Sequence, residues 1–116
     1  MPDKLYYDEY LVGEVVLVNA DFPSFYGHFT LLLEPVDDTG QHLLDFRDHV
    51  QRYLAFEMNA HIQRDEALER QLLEEADRFE DLIQMDKWRL VDEEGASTAI
   101  LAPFFDTEGG ISWRLS

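Results

Sequence analysis

The chain has no cysteine. Disulfides and thiolate metal sites are therefore excluded. Lysine is scarce as well: only Lys4 and Lys87 stand beside seven arginines. No apolar run approaches the about 20 residues that a membrane-crossing helix needs. The longest runs, 15–18 and 31–33, are far shorter. The opening residues, Met-Pro-Asp-Lys-Leu-Tyr-Tyr-Asp, lack the basic region and apolar stretch of a secretory leader, so the expected location is the cytoplasm. The glycine-containing turns show no nucleotide-binding pattern, and no serine stands in a triad context. Neither repeat nor linker divides the chain. Residues 41–94 contain no proline and no glycine, which makes that block the place for helices.

What the chain has is negative charge. Its 25 Asp and Glu against 9 Lys and Arg give a formal net charge of −16 on 116 residues. Hydrophobic residues make up 46% and aromatics 13%, too much for a disordered acidic tail. The length fits a single domain, 1–116, with a core of its own. Such a surface repels nucleic acid and anionic membranes and attracts basic proteins and cations. An acidic proteome, adapted to a salty cytoplasm, would produce the same balance. The excess of arginine over lysine suits that background.

The expected elements run as follows. Residues 11–18 and 28–34 read as two strands of an antiparallel hairpin, joined by a loop, 19–27, that holds Phe22, Pro23, Phe25 and Tyr26. A first helix starts near Gln41, with Asp38 and Gln41 as a capping box. Its apolar face is Leu43, Phe46, Val50, Tyr53, Leu54 and Met58. A second helix covers 65–85, with a stripe of Leu68, Leu72, Ala76, Phe79 and Ile83. The break between them falls at 59–64, although one long helix over 41–85 stays open. Strands follow at 88–91, at 98–105 with Pro103 at an edge or bulge, and at 111–115. The predicted class is α+β: an antiparallel sheet of about five strands packed on a helical hairpin, order ββααβββ. Leu68, Leu72, Phe79 and Ile83 are expected to be buried on the sheet, near Trp88 and Trp113.

Several residue groups carry possible chemistry. His42, Asp45 and His49 share one side of the first helix and offer ligand types that zinc or ferrous iron accepts. His42 and His49 are, however, two turns and about 10 Å apart, so no metal and no cofactor is expected. Glu57 falls on the apolar face with His61 one turn on. A carboxylate in an apolar pocket has a raised pKa and can act as acid or base; the alternative is a solvated helix end. Phe22, Phe25 and Tyr26, with Tyr6, Tyr7 and Tyr10 upstream, suit either an interface or a cover for the sheet end. Eight acids lie between Asp65 and Asp81. Asp77, Glu80 and Asp81 sit toward the helix end, where carboxylates oppose the dipole.

Two functions follow. In the first, the protein is a non-catalytic module whose acidic face (Asp77, Glu80 and Asp81, with Asp92, Glu93, Glu94, Asp106 and Glu108 in the turns) and aromatic loop engage a basic protein partner. An inhibitor, an immunity protein or a nucleic-acid mimic would be of this kind. In the second, it is a small ligand-binding domain or enzyme with a pocket between sheet and helices near Glu57 and His61. A homodimer through an edge strand or the helix pair is compatible with both.

Overall fold

Residues 2–21, 24–59, 65–84 and 87–115 are described by a computed structural model. Three strands come first: β1 (Asp3–Tyr7), β2 (Tyr10–Asp21) and β3 (Ser24–Leu31). The helices α1 (Asp38–Asn59) and α2 (Glu66–Ala76) follow, and α2 runs through a 3-10 turn, Asp77–Phe79, into the short α3 (Glu80–Gln84). Four strands close the chain: β4 (Trp88–Val91), β5 (Ser97–Ala99), β6 (Phe104–Phe105) and β7 (Gly110–Arg114). All seven strands build one antiparallel sheet, ordered β5-β4-β1-β2-β3-β7-β6 and curled into a half-barrel. The class is α+β, as expected, but the order is βββααββββ rather than ββααβββ.

The two extra strands have physical reasons. β1 reads Asp-Lys-Leu-Tyr-Tyr, a weak strand signal. It is held by ladders on both sides, to β2 and to β4 more than eighty residues away. Long-range pairing of this kind overrides local preference. The expected single strand over 98–105 is divided at Pro103. Its first part pairs with β4 and its second with β7, and Ile100 bridges Leu115 between them. From Ile100 to Phe104 the chain takes four steps while its partner takes three, from Leu115 to Ser112. That extra residue is a bulge, the position proline tolerates. One segment, 97–105, thus joins both edges of the sheet. Ile100 N–H donates to Trp88 C=O (3.0 Å) and Leu101 N–H to Arg114 C=O (2.9 Å).

The long aromatic loop expected at 19–27 is mostly strand. β2 continues to Asp21, with a register shift between Leu17 and Asn19, and β3 starts at Ser24. Phe25 lies opposite Ala20 and stacks on Trp113, ring centroids 5.8 Å apart.

The core lies between the sheet and the helices. Leu5, Tyr7, Val15, Phe29, Trp88 and Ile111 face Leu43, Phe46, Val50, Phe79 and Leu82. Helix starts are fixed by carboxylates. The cap of α1 is Asp37, one residue before the expected Asp38: its Oδ1 accepts from Gly40 N–H and its Oδ2 from Tyr10 Oη, both at 2.7 Å. Asp65 caps α2 by accepting from Ala67 and Leu68 N–H at 3.1 Å. At the far end Trp88 Nε1 donates to Leu82 C=O at 2.7 Å, which satisfies one of the carbonyls a helix end leaves open.

The second helical stripe is only partly as expected. Leu72 and Phe79 are buried, as are Trp88 and Trp113, and Leu68 is half-buried. Ile83 is not buried: it is 50% exposed, while its neighbour Leu82 is 1% exposed. The 3-10 turn explains the exchange. It advances about 120° per residue instead of about 100°, so three such residues rotate the following chain by about 60°. Leu82 turns into the core and Ile83 turns out of it.

Candidate functional site

Turning Ile83 outward builds one wall of a groove. A cleft of about 570 Å³ opens between α1, the α2–α3 arm and residues 101–104. The helices contribute Val50 and Tyr53 from α1 and Leu72, Leu73 and Ile83 from the second arm. The bulge at Pro103 presents Leu101 and Phe104 from the opposite side. Leu73, Ile83, Leu101 and Phe104 are each half-exposed. Two local irregularities, the 3-10 turn and the proline bulge, therefore aim apolar side chains from separate elements into one concavity.

Two polar side chains line this groove, His49 and Tyr53, one turn apart on α1. His49 is 5% exposed. Glu75 Oε1 lies 3.7 Å from its Nδ1, beyond hydrogen-bond reach, so Nδ1 is buried without a partner. Burial holds the imidazole below its usual pKa, against the opposing pull of the Glu75 carboxylate. Glu75 is itself clamped by Arg52: Nη1 donates to Oε2 (2.9 Å) and Nη2 to Oε1 (2.5 Å). Arg52 Nε also donates to Asp48 Oδ2 at 3.0 Å. Those hydrogen bonds keep the Glu75 carboxyl below its ordinary range. Further along α1, the Glu57 carboxylate raises the Tyr53 phenol pKa, and burial and the charge of Glu69 raise it further.

The residues singled out from the sequence fall elsewhere or in other roles. Glu57 is exposed rather than sitting in an apolar pocket. His61 and Phe22 lie outside the described residues. Tyr26 is at the surface, its hydroxyl donating to Asp106 Oδ2 at 3.2 Å. Tyr6, Tyr7 and Tyr10 are engaged by Arg89, Trp88 and Asp37 respectively. His42, Asp45 and His49 diverge. His42 Nε2 is 3.2 Å from Asp81 Oδ1, Asp45 accepts from Gln41, and His49 turns to Glu75. Among the described residues no three His, Asp or Glu side chains gather to hold a metal.

The acids also divide. Asp92 accepts from the N–H groups of Glu94 and Ala96, and Asp106 from those of Glu108 and Gly110. Both hold tight turns. Gly110 has no room for a side chain there, since a Cβ would collide with Tyr26 and Asp106. Asp77, Glu80 and Asp81 are exposed, and Asp81 faces His42 on α1.

His49 is a groove-lining residue that the sequence places only with His42 and Asp45 as a possible ligand. Its signal was present: it stands three residues after Phe46 and four before Tyr53, inside the apolar face. The chain matches no protein-family model, no curated protein and no solved structure. Among the described residues no helix is long and apolar enough to cross a membrane.

Proposed function

We propose that this protein is a non-catalytic cytoplasmic binding protein that holds a small apolar molecule in the groove between α1, the α2–α3 arm and residues 101–104. One observation carries this reading: the half-exposed side chains of Leu73, Ile83, Leu101 and Phe104 converge on a single cleft. A concave site lined mainly by apolar side chains with a few polar groups is the usual form of a small-molecule pocket. The groove volume of about 570 Å³ falls within the range of about 300–1,000 Å³ typical of small-molecule sites. Among the lining residues only His49 and Tyr53 titrate, and neither stands beside a nucleophile. That favours holding over turnover. Burying ten methylenes supplies about 8 kcal/mol gross, and lost ligand freedom consumes a large part of it. Affinities from micromolar to millimolar are expected.

An uncharged solvatochromic dye tests the reading. Its emission should rise with the wild-type protein and fall back with Leu73→Glu or Ile83→Glu at unchanged Tm. A wild-type protein that leaves the dye dark, or variants that bind it equally well, would sink the proposal.

A second reading keeps the charge in view. Asp77 and Glu80 are exposed three residues apart on the α2–α3 arm. Together with the net charge of −16, this supports an acidic face that docks a basic protein. Lysine at Asp77, Glu80 and Asp81 should then slow association with a basic partner captured at low salt. An association rate indifferent to both the substitutions and salt would exclude it.

A further inference from the structure

We propose that His49 makes the groove release its occupant on acidification: the neutral imidazole admits an apolar molecule and the protonated one expels it. This concerns the regulation of the groove and rests on the groove reading. The geometry sets a proton against an apolar occupant. His49 lines the cleft with Phe46, Val50, Leu72 and Ala76, and it is only 5% exposed. An imidazolium has two N–H donors to satisfy, yet Nδ1 is buried without a partner. Its nearest acceptor, Glu75 Oε1 at 3.7 Å, is held by the two prongs of Arg52. What remains to solvate the positive charge is water in the open cleft. An apolar molecule seated there displaces that water, and a buried charge without compensation is costly.

The surroundings do not rescue the charged form. On its own helix His49 has Asp48 beside it and Arg52 one turn on, and α2 brings Glu75. Arg52 already answers both carboxylates. Asp45 is turned to Gln41, and Tyr53 keeps its proton. From the 3-10 turn, Phe79 packs its ring 5.1 Å from the imidazole, with Arg78 over that phenyl at 5.5 Å. His42 stacks on the same phenyl at 5.2 Å and is directed to Asp81, outside the groove. Residues 101–104, Leu-Ala-Pro-Phe, bring no charge. In keeping with this setting, burial depresses the His49 pKa below 6.5. Linkage then fixes the sign. The occupied protein takes the proton less readily than the empty one. Affinity is therefore full above about pH 6.5 and falls as pH drops through the depressed pKa. Reciprocally, an occupant lowers that pKa further.

Nile red, an uncharged dye that brightens in apolar surroundings, reads the effect when titrated into the full chain. From about pH 7.5 to about pH 5 its Kd should rise by about three-fold or more, and by at most about ten-fold per pH unit, the limit for one proton. Near-UV circular dichroism should stay unchanged over that range. His49→Phe should flatten the profile, and His42→Gln should leave its slope intact. Arg52→Gln removes a positive charge next to the imidazole and should move release to higher pH. NMR titration of the His49 ring in the wild-type protein, which needs no variant, should give a lower pKa with dye than without. A flat wild-type profile, a slope that survives His49→Phe or one that His42→Gln abolishes overturns the inference while the groove reading stands. So does release at the same or lower pH in Arg52→Gln, an imidazole pKa that dye leaves in place or raises, or release that only accompanies loss of the near-UV signal. If the dye binds at no pH, the groove reading falls and takes the inference with it.

Discussion

Leu82 and Ile83 are neighbours of similar size and nearly equal hydrophobicity, yet one is sealed in the core and the other stands half in water. The helical arm that carries them has two apolar sides. One side, with Phe79 and Leu82, is covered by Phe46 and Trp88. The other, with Leu73 and Ile83, is left open over the groove. The contrast teaches that residue type alone does not separate core from site. The separation is made by about 60° of backbone rotation in a three-residue 3-10 turn.

The contrast can be broken from the covered side first. Phe79→Ala should destabilise the fold by about 3–5 kcal/mol, and Leu72→Ala by about 2–5 kcal/mol. Urea unfolding measures both. A loss well under 1 kcal/mol at Leu72 would mean the helix is not packed as described. Next comes the clamp between the two sides. Arg52→Gln removes charged hydrogen bonds to Glu75 and should cost about 1–3 kcal/mol. It should also raise the His49 pKa, because a nearby positive charge that disfavours protonation is gone. NMR titration of the imidazole reads that shift, and a downward movement would contradict it.

The pH dependence is smaller and has a definite sign. The folded pKa of His49 is depressed below 6.5, so the unfolded chain binds the proton more readily. Stability is then complete above about pH 6.5 and declines as pH falls through the window beneath it. Glu75, also depressed, adds a further loss below its ordinary value of 4.5. His49→Phe should remove the upper part of this decline and keep the lower part. A variant with the same slope between pH 6.5 and 5 would assign that slope to another group. The smallest effect belongs to the open side: Ile83→Ala should change stability by no more than about 0.5 kcal/mol. A core-sized loss there would erase the distinction between the two sides.

The sequence made the class legible because its signals were local. The proline- and glycine-free block marked the helices, and Pro103 marked an irregular strand. The fine structure needed partners far along the chain. β1 is a strand because β4 lies beside it, and Phe25 and Tyr26 belong to β3, where Trp113 offers Phe25 a face. For the site, an unbroken 3.6-residue period placed Ile83 in the core; only the 3-10 turn moves it. Glu57 drew notice as a misplaced carboxylate, and α1 does end near it, as the solvated alternative held. His49 stands with His42 and Asp45 on one side of α1, and sequence spacing does not reveal that Glu75 reaches it from α2, held there by Arg52.

The segment that joins the two sheet edges has a consequence for how the molecule opens and for what it resists. Bare strand edges are templates on which other chains add. Here the edges of β4 and β7 are covered by residues 97–105, which the bonds made by Ile100 and Leu101 hold in place. The same residues form one bank of the groove, so an occupant wedged against Leu101 and Phe104 also fastens the seam. The amides of Ile100 and Leu101 become a built-in gauge: their exchange with deuterated water should slow when the groove is filled, while the amides of the β2–β3 hairpin keep their pace.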